Sequence, residues 1–152
     1  MQPDLSNLKI ATVDDSAIVA ERIRSMLIEL DGITILGHAA DYTSAVSLIE
    51  NNRPDVAIID LHLGGVTPHT SGIDLLKMMR GKYPDMKIVI LTNLSQPFIR
   101  EMCIELGADF FLDKSYDFSR IPEILHTIRA WFQHGEFTVK YNPTTWKQIR
   151  KQ

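Results

Sequence analysis

The chain has 152 residues, 45% hydrophobic and 23% charged, with a formal net charge of −3 at pH 7. That is the size and balance of one soluble globular domain able to bury a sizeable core. It excludes a general attraction for nucleic acid, an internal disulfide framework (Cys103 is the only cysteine) and a membrane span, since no apolar run nears the roughly 18 residues required.

In chain order, the start Met1-Gln2-Pro3-Asp4 lacks the basic-then-apolar pattern of a signal peptide, and a cytoplasmic location is expected. Leu8 to Val13 reads as a first strand ending in Asp14-Asp15-Ser16. From Ala17 to Leu30, Ile18, Val19, Ile23, Met26, Leu27 and Leu30 recur at helical spacing, with Ser16 as N-cap and Gly32 as stop. Ile33 to Ala40 is a second strand, and Asp41 to Asn52 a second helix with Ala45, Val46, Leu48 and Ile49 inward. Pro54 breaks that helix. Val56 to Ile59 is then an unbroken apolar run, the mark of a strand buried on both faces, and it ends in the carboxylate of Asp60.

Beyond it a Gly- and Pro-containing loop, Gly64 to Gly72, leads to a helix at Ile73–Lys82. Lys87 to Leu91 is a fourth strand ending in Thr92. Pro97 suits a first helical turn, and that helix runs to Leu106-Gly107. Asp109 to Leu112 is a short fifth strand ending in Asp113-Lys114, and Pro122 to Phe132 is a last helix. Strand and helix alternate throughout, which predicts an α/β fold with a parallel sheet and helices on both faces.

Parallel strands present their carboxyl ends to one edge, where open α/β sheets bind ligands. Asp14, Asp15, Asp60, Thr92 and Lys114 all stand at such ends. Each has a plain structural reading as a turn, a cap or a solvated charge. As a set they make coherent chemistry. Carboxylates gathered at one point repel unless a cation joins them, and all-oxygen ligation suits Mg²⁺. One carboxylate is then free to act as a nucleophile toward phosphorus, while an ammonium and a hydroxyl stabilise the transferring group.

The motifs Val13-Asp14-Asp15-Ser16, Ile58-Ile59-Asp60, Ile90-Leu91-Thr92 and Phe111-Leu112-Asp113-Lys114 resemble those of the receiver domain of two-component response regulators, across roughly residues 8–133. The resemblance implies a doubly wound five-stranded sheet of order 2-1-3-4-5. It implies that Asp60 accepts a phosphoryl group from the phosphohistidine of a histidine kinase or phosphotransfer protein. Asp14, Asp15, Asp60 and the backbone carbonyl of His62 would hold Mg²⁺, with Asp14 acting partly through water. Lys114 would pair with Asp60 and then its phosphate, Thr92 would move toward the phosphate, and Phe111 falls at the family's aromatic switch position. The output surface would be the face of the fourth helix, fifth strand and fifth helix, engaging a downstream protein or a second copy.

Some positions depart from the family's pattern. Gly64 stands where a proline is usual, Gly72 supplies the glycine found further on, and the loop between is longer. Asn93 replaces the usual Ala or Gly, and His62 and Leu94 hold positions that tune hydrolysis in related proteins. Phe111 has no hydroxyl, so it is either a switch acting through packing or a buried strand aromatic. Cys103 lies at helical spacing with Ile99 and Leu106 and reads as core.

Residues 134–152 form a tail with Lys140, Lys147, Arg150 and Lys151 against Glu136. It carries no recognition fold, so no nucleic-acid binding is expected of this chain alone. Trp146 and Ile149, three apart, suggest a last helical turn; otherwise the tail opens a linker. Four readings stay open: a phosphorylatable signalling module without enzymatic turnover, the receiver part of a truncated DNA-binding transcriptional regulator, a pseudo-receiver that only binds proteins, and an aspartate-nucleophile phosphohydrolase. The last has His62 where related hydrolases place a second Asp.

Overall fold

Val56–Ile59 forms β3, with all four side chains buried, because strands cover it on both edges and helices on both faces. Beside it lie β1 (Leu8–Val13) and β4 (Lys87–Thr92), and outside these β2 (Ile33–Ala39) and β5 (Phe110–Asp113). All pairings are parallel, in the order β2-β1-β3-β4-β5. The protein is described from a computed structural model over residues 7–63 and 71–134 and along the backbone of 139–141 and 148–150. The expected fold class and strand order are both present.

Four helices connect the strands, α1 (Ala17–Leu27), α2 (Tyr42–Asn52), α3 (Gly72–Lys82) and α4 (Pro97–Glu105), and α5 (Ile121–His134) follows β5. Their starts are chemically marked. Ser16 accepts from Val19 N, Asp41 accepts from Ser44 N, and Ser71 with Asp74 forms a reciprocal capping box. Successive strand residues face opposite layers, and β5 shows it directly. Phe110 stacks on Trp131 of α5 with centroids 5.2 Å apart, while the Phe111 ring lies 5.6 Å from the Arg100 guanidinium of α4. The layers therefore divide at this edge, with α4 on one side and α5 on the other.

Several boundaries differ from the sequence expectations; the first helix ends at Leu27, with Ile28 as its C-cap, and does not reach Leu30. Asp113 belongs to β5 and is buried, because its backbone pairs with Thr92. The last helix starts at Ile121, after a 3-10 turn at Phe118–Arg120, and reaches His134. In the tail, Gln148–Arg150 is a strand paired antiparallel with Val139–Tyr141, where a helical turn was expected. Two apolar residues three apart cannot specify a helix, and the β-branched and aromatic residues of Val139-Lys140-Tyr141 favour an extended pair. Trp146 and the loop residues 64–70 lie outside the described residues. Cys103 is buried as expected, and burial pushes its thiol up to about 11.

Candidate functional site

The acidic set is built by the sheet itself. Asp14 N still donates to Ala39 O at 3.0 Å, continuing the β1–β2 ladder, and Asp60 N donates to Val13 O at 2.9 Å, continuing the ladder between β1 and β3. Both carboxylates are thus fixed by backbone before their side chains leave the strands. Asp14 Oδ1 accepts from Ser16 N at 2.8 Å, the local turn that opens α1, and Asp60 Oδ1 accepts from His62 N at 3.2 Å. Lys114 N donates to Thr92 O at 3.0 Å, which anchors the fifth strand's end in the same way.

The other oxygens of Asp14 and Asp60 converge on one ammonium. Lys114 Nζ lies 2.7 Å from Asp14 Oδ2 and 2.7 Å from Asp60 Oδ2. Lys114 is 11% exposed, Asp14 3% and Asp60 5%. Burial alone would push the Lys114 pKa down, but its bonds to Asp14 and Asp60 outweigh that and raise it above 10.5. Asp15 completes the cluster from the rim, with one carboxylate oxygen from each of Asp14, Asp15 and Asp60 within 4.8 Å of the others. Three carboxylates then face one ammonium. Like charges at such separations repel strongly in a partly desolvated site, and a hard divalent cation with oxygen ligands is the group that balances them. The residues present fit Mg²⁺.

The remaining predicted residues lie around this centre. Thr92 is fully buried at the end of β4, and its Oγ1 accepts from Leu94 N at 3.2 Å. Asn93 is exposed, as is Leu94. The His62 ring stands outside the cluster, Nε2 4.0 Å from Asp15 Oδ2. Phe111 does not reach the pocket; it is buried under α4, in register with Ile90. Clefts of about 440 Å³, at the amino edge of the sheet, and 550 Å³, between α1 and β2, contain none of these residues.

Sequence reasoning missed the part played by Gly72. Its N donates to Leu61 O at 3.0 Å, so α3 begins against the backbone that carries Asp60. A Cβ there would collide with the Asp60 carbonyl oxygen and fall 2.6 Å from Leu61 Cα. The only signal in the sequence was its spacing from Asp60. Ser95 and Asp113 were missed as partners, since nothing in the pattern says that the fourth strand's loop reaches the fifth strand.

A flavodoxin-like sheet with an acid cluster and a lysine at its carboxyl edge defines a class of phosphoryl-accepting signalling domains. The chain matches the response regulator receiver domain family over residues 10–126, and it belongs to that family. It is 33% identical to the transcriptional regulatory protein YdfI of Bacillus subtilis over 122 residues, 80% of this chain and 54% of that protein. It is 28% identical over 113 residues to a protein-glutamate methylesterase/protein-glutamine glutaminase of Treponema pallidum, 73% of this chain and 27% of that one. Among solved structures it resembles the isolated receiver domain of RcsB from Salmonella enterica serovar Typhimurium, determined with the phosphomimetic BeF3−. The TM-score is 0.76 and identity 25%, covering 91% of this chain and 94% of that one. The chain spans little more than half, or less, of the curated relatives it matches. Receiver domains act in two-component signalling, where phosphorylation by a histidine kinase is the general function; they bind Mg²⁺ at an acidic pocket and are generally not enzymes. Among the described residues no helix is long and apolar enough to cross a membrane.

Proposed function

We propose that residues 8–133 act as a receiver whose Asp60 accepts a phosphoryl group from the phosphohistidine of a histidine kinase or phosphotransfer protein. The observation that carries this is the Lys114 ammonium held 2.7 Å from both Asp14 and Asp60 within a three-carboxylate cluster. An Asp60 carboxylate oxygen attacks phosphorus, the phosphorus–nitrogen bond to the donor imidazole breaks, and the neutralised imidazole leaves. Lys114 stays within reach of Asp60 and pairs with the phosphoryl oxygens as negative charge gathers there. Thr92 donates its hydroxyl to one of them. Asp14, Asp15, Asp60 and the His62 carbonyl would hold Mg²⁺, which when bound supplies charge neutralisation for the transfer. His62, Asn93 and Leu94 flank the entry and set how readily water reaches the product.

Phosphorylation biases a two-state equilibrium that is read by a protein partner, or a second copy, at the α4–β5–α5 face. Phe111 contributes by packing, since it has no hydroxyl. The chain performs one transfer to itself and does not turn over a separate substrate. A second reading is favoured by the similarity to YdfI, a transcriptional regulator about twice the matched length: the domain is then the receiver part of a DNA-binding regulator. Sequencing the coding region past Gln152 separates the two. Incubation with acetyl phosphate and Mg²⁺, followed by mass spectrometry, tests the shared core. A phosphoryl adduct mapping to Asp60 and missing in Asp60→Asn is expected; an unlabelled wild type, or an adduct that persists in Asp60→Asn, refutes it.

A further inference from the structure

Asp113 precedes Lys114 and carries no role in the transfer described above, yet it is buried at the α4 side of β5. Its Oδ1 accepts from Ser115 N at 2.7 Å and Tyr116 N at 3.3 Å. The carboxylate also accepts the Ser95 hydroxyl and lies in the field of Arg100. Burial pushes its pKa up, but the Ser95 hydroxyl and the two amides outweigh this and hold it below 3.8, so it is an acceptor-only anion at neutral pH.

At the other end of the same loop, Ser95 N donates to Asn93 O at 3.1 Å and Leu94 N donates to Thr92 Oγ1 at 3.2 Å. One run of hydrogen bonds therefore ties the Thr92 hydroxyl, through the turn at residues 93–95, to the neighbour of Lys114. The Thr92 side chain is aimed at its own loop in this arrangement. Turning it toward a group on Asp60 takes the acceptor from Leu94 N and unravels the turn that aims Ser95 at Asp113.

We infer that the Ser95 hydroxyl and the Asp113 carboxylate form a latch that holds the β4–α4 loop, and with it Thr92, in the arrangement that disfavours a tetrahedral anion on Asp60. Ser95 and Asp113 are positioning residues, acting through Thr92 and never touching the transferred group. This rests on the reading of Asp60 as phosphoacceptor. A contact made only in the resting state lowers the apparent affinity for any ligand that selects the other state. A contact made equally in both states contributes to stability and leaves that affinity unchanged. The two roles therefore separate cleanly.

The test titrates beryllofluoride with Mg²⁺ into the full chain and follows amide chemical shifts near Asp60, alongside urea unfolding of the ligand-free protein. Ser95→Ala should bind roughly 3–10-fold tighter than wild type, the scale of one lost hydrogen bond, although the free protein unfolds more readily. Ser95→Thr restores the hydroxyl and should return affinity toward the wild-type value. Equal or weaker binding by Ser95→Ala overturns the latch and leaves a structural staple. If wild type shows no Asp60-dependent binding, the phosphoacceptor reading falls and the latch with it.

Discussion

The two edges of the sheet each pair a cation with carboxylate, half-buried at one edge and nearly buried at the other, and they treat it differently. At the amino edge, Arg80 Nη2 lies 2.8 Å from Asp109 Oδ2, while Arg80 Nε and Nη1 donate to the carbonyls of Gly107, Pro84 and Met86. Asp109 Oδ2 also accepts from Ile88 N. One positive charge meets one negative charge, and the guanidinium donors find backbone acceptors. At the carboxyl edge Lys114 meets two carboxylates at 2.7 Å with a third nearby. The closed network fastens α3 to the start of β5, whereas the open one leaves an excess of negative charge that only a ligand can balance. A well-formed ion pair is therefore a poor marker of function by itself; the charge left over is the better one.

Breaking the closed edge should have the largest effect on folding. Arg80→Ala leaves the half-buried Asp109 with the Ile88 N donor alone and removes four guanidinium hydrogen bonds, so it should cost about 2–3 kcal/mol, read by urea unfolding, while the folded fraction keeps its Mg²⁺ affinity. The glycines behind each edge sharpen the contrast. Gly107, at φ +110°, would place a Cβ 2.6 Å from Arg80 Cγ, and Gly72 would press on Asp60 and Leu61. Gly107→Ala and Gly72→Ala should each cost about 1–3 kcal/mol, but only Gly72→Ala should also slow labelling of Asp60 by acetyl phosphate.

Smaller effects test the open edge. Asp15→Asn removes one repelling charge from an exposed position and should raise ligand-free stability by about 0.2–1 kcal/mol, measured in chelator. Lys114 gives the mirror result in pH. Because its folded pKa lies above 10.5, its stabilising effect is complete below pH 10.5 and fades as pH rises through the folded value. The stability gap between wild type and Lys114→Gln should stay flat from neutral pH to about 10 and narrow above that.

The sheet and the acidic cluster were legible because four of the five strands announced themselves by an apolar run and then stopped at a polar residue, Asp14, Asp60, Thr92 or Lys114. Parallel topology does the rest, since it sends all such ends to one edge. Gly72 was visible as a spacing but not as a contact with Asp60, because a collision with an absent Cβ leaves no trace in composition. The Ser95–Asp113 bond depends on how a short loop folds back across two strands, which no periodicity encodes. Arg80 carries no signal in the sequence, because its partners Gly107 and Asp109 lie 27 and 29 residues away. In the tail, too few residues were available to distinguish a helical spacing from a strand.

Calorimetric titration with Mg²⁺ in metal-free buffer puts the leftover charge to the test most directly. Wild type should take up one ion per chain, Asp15→Asn should bind at least about tenfold more weakly, and Asp109→Asn should bind like wild type. A wild-type chain that takes up no Mg²⁺, or an Asp109→Asn chain that loses it while Asp15→Asn does not, would contradict the account.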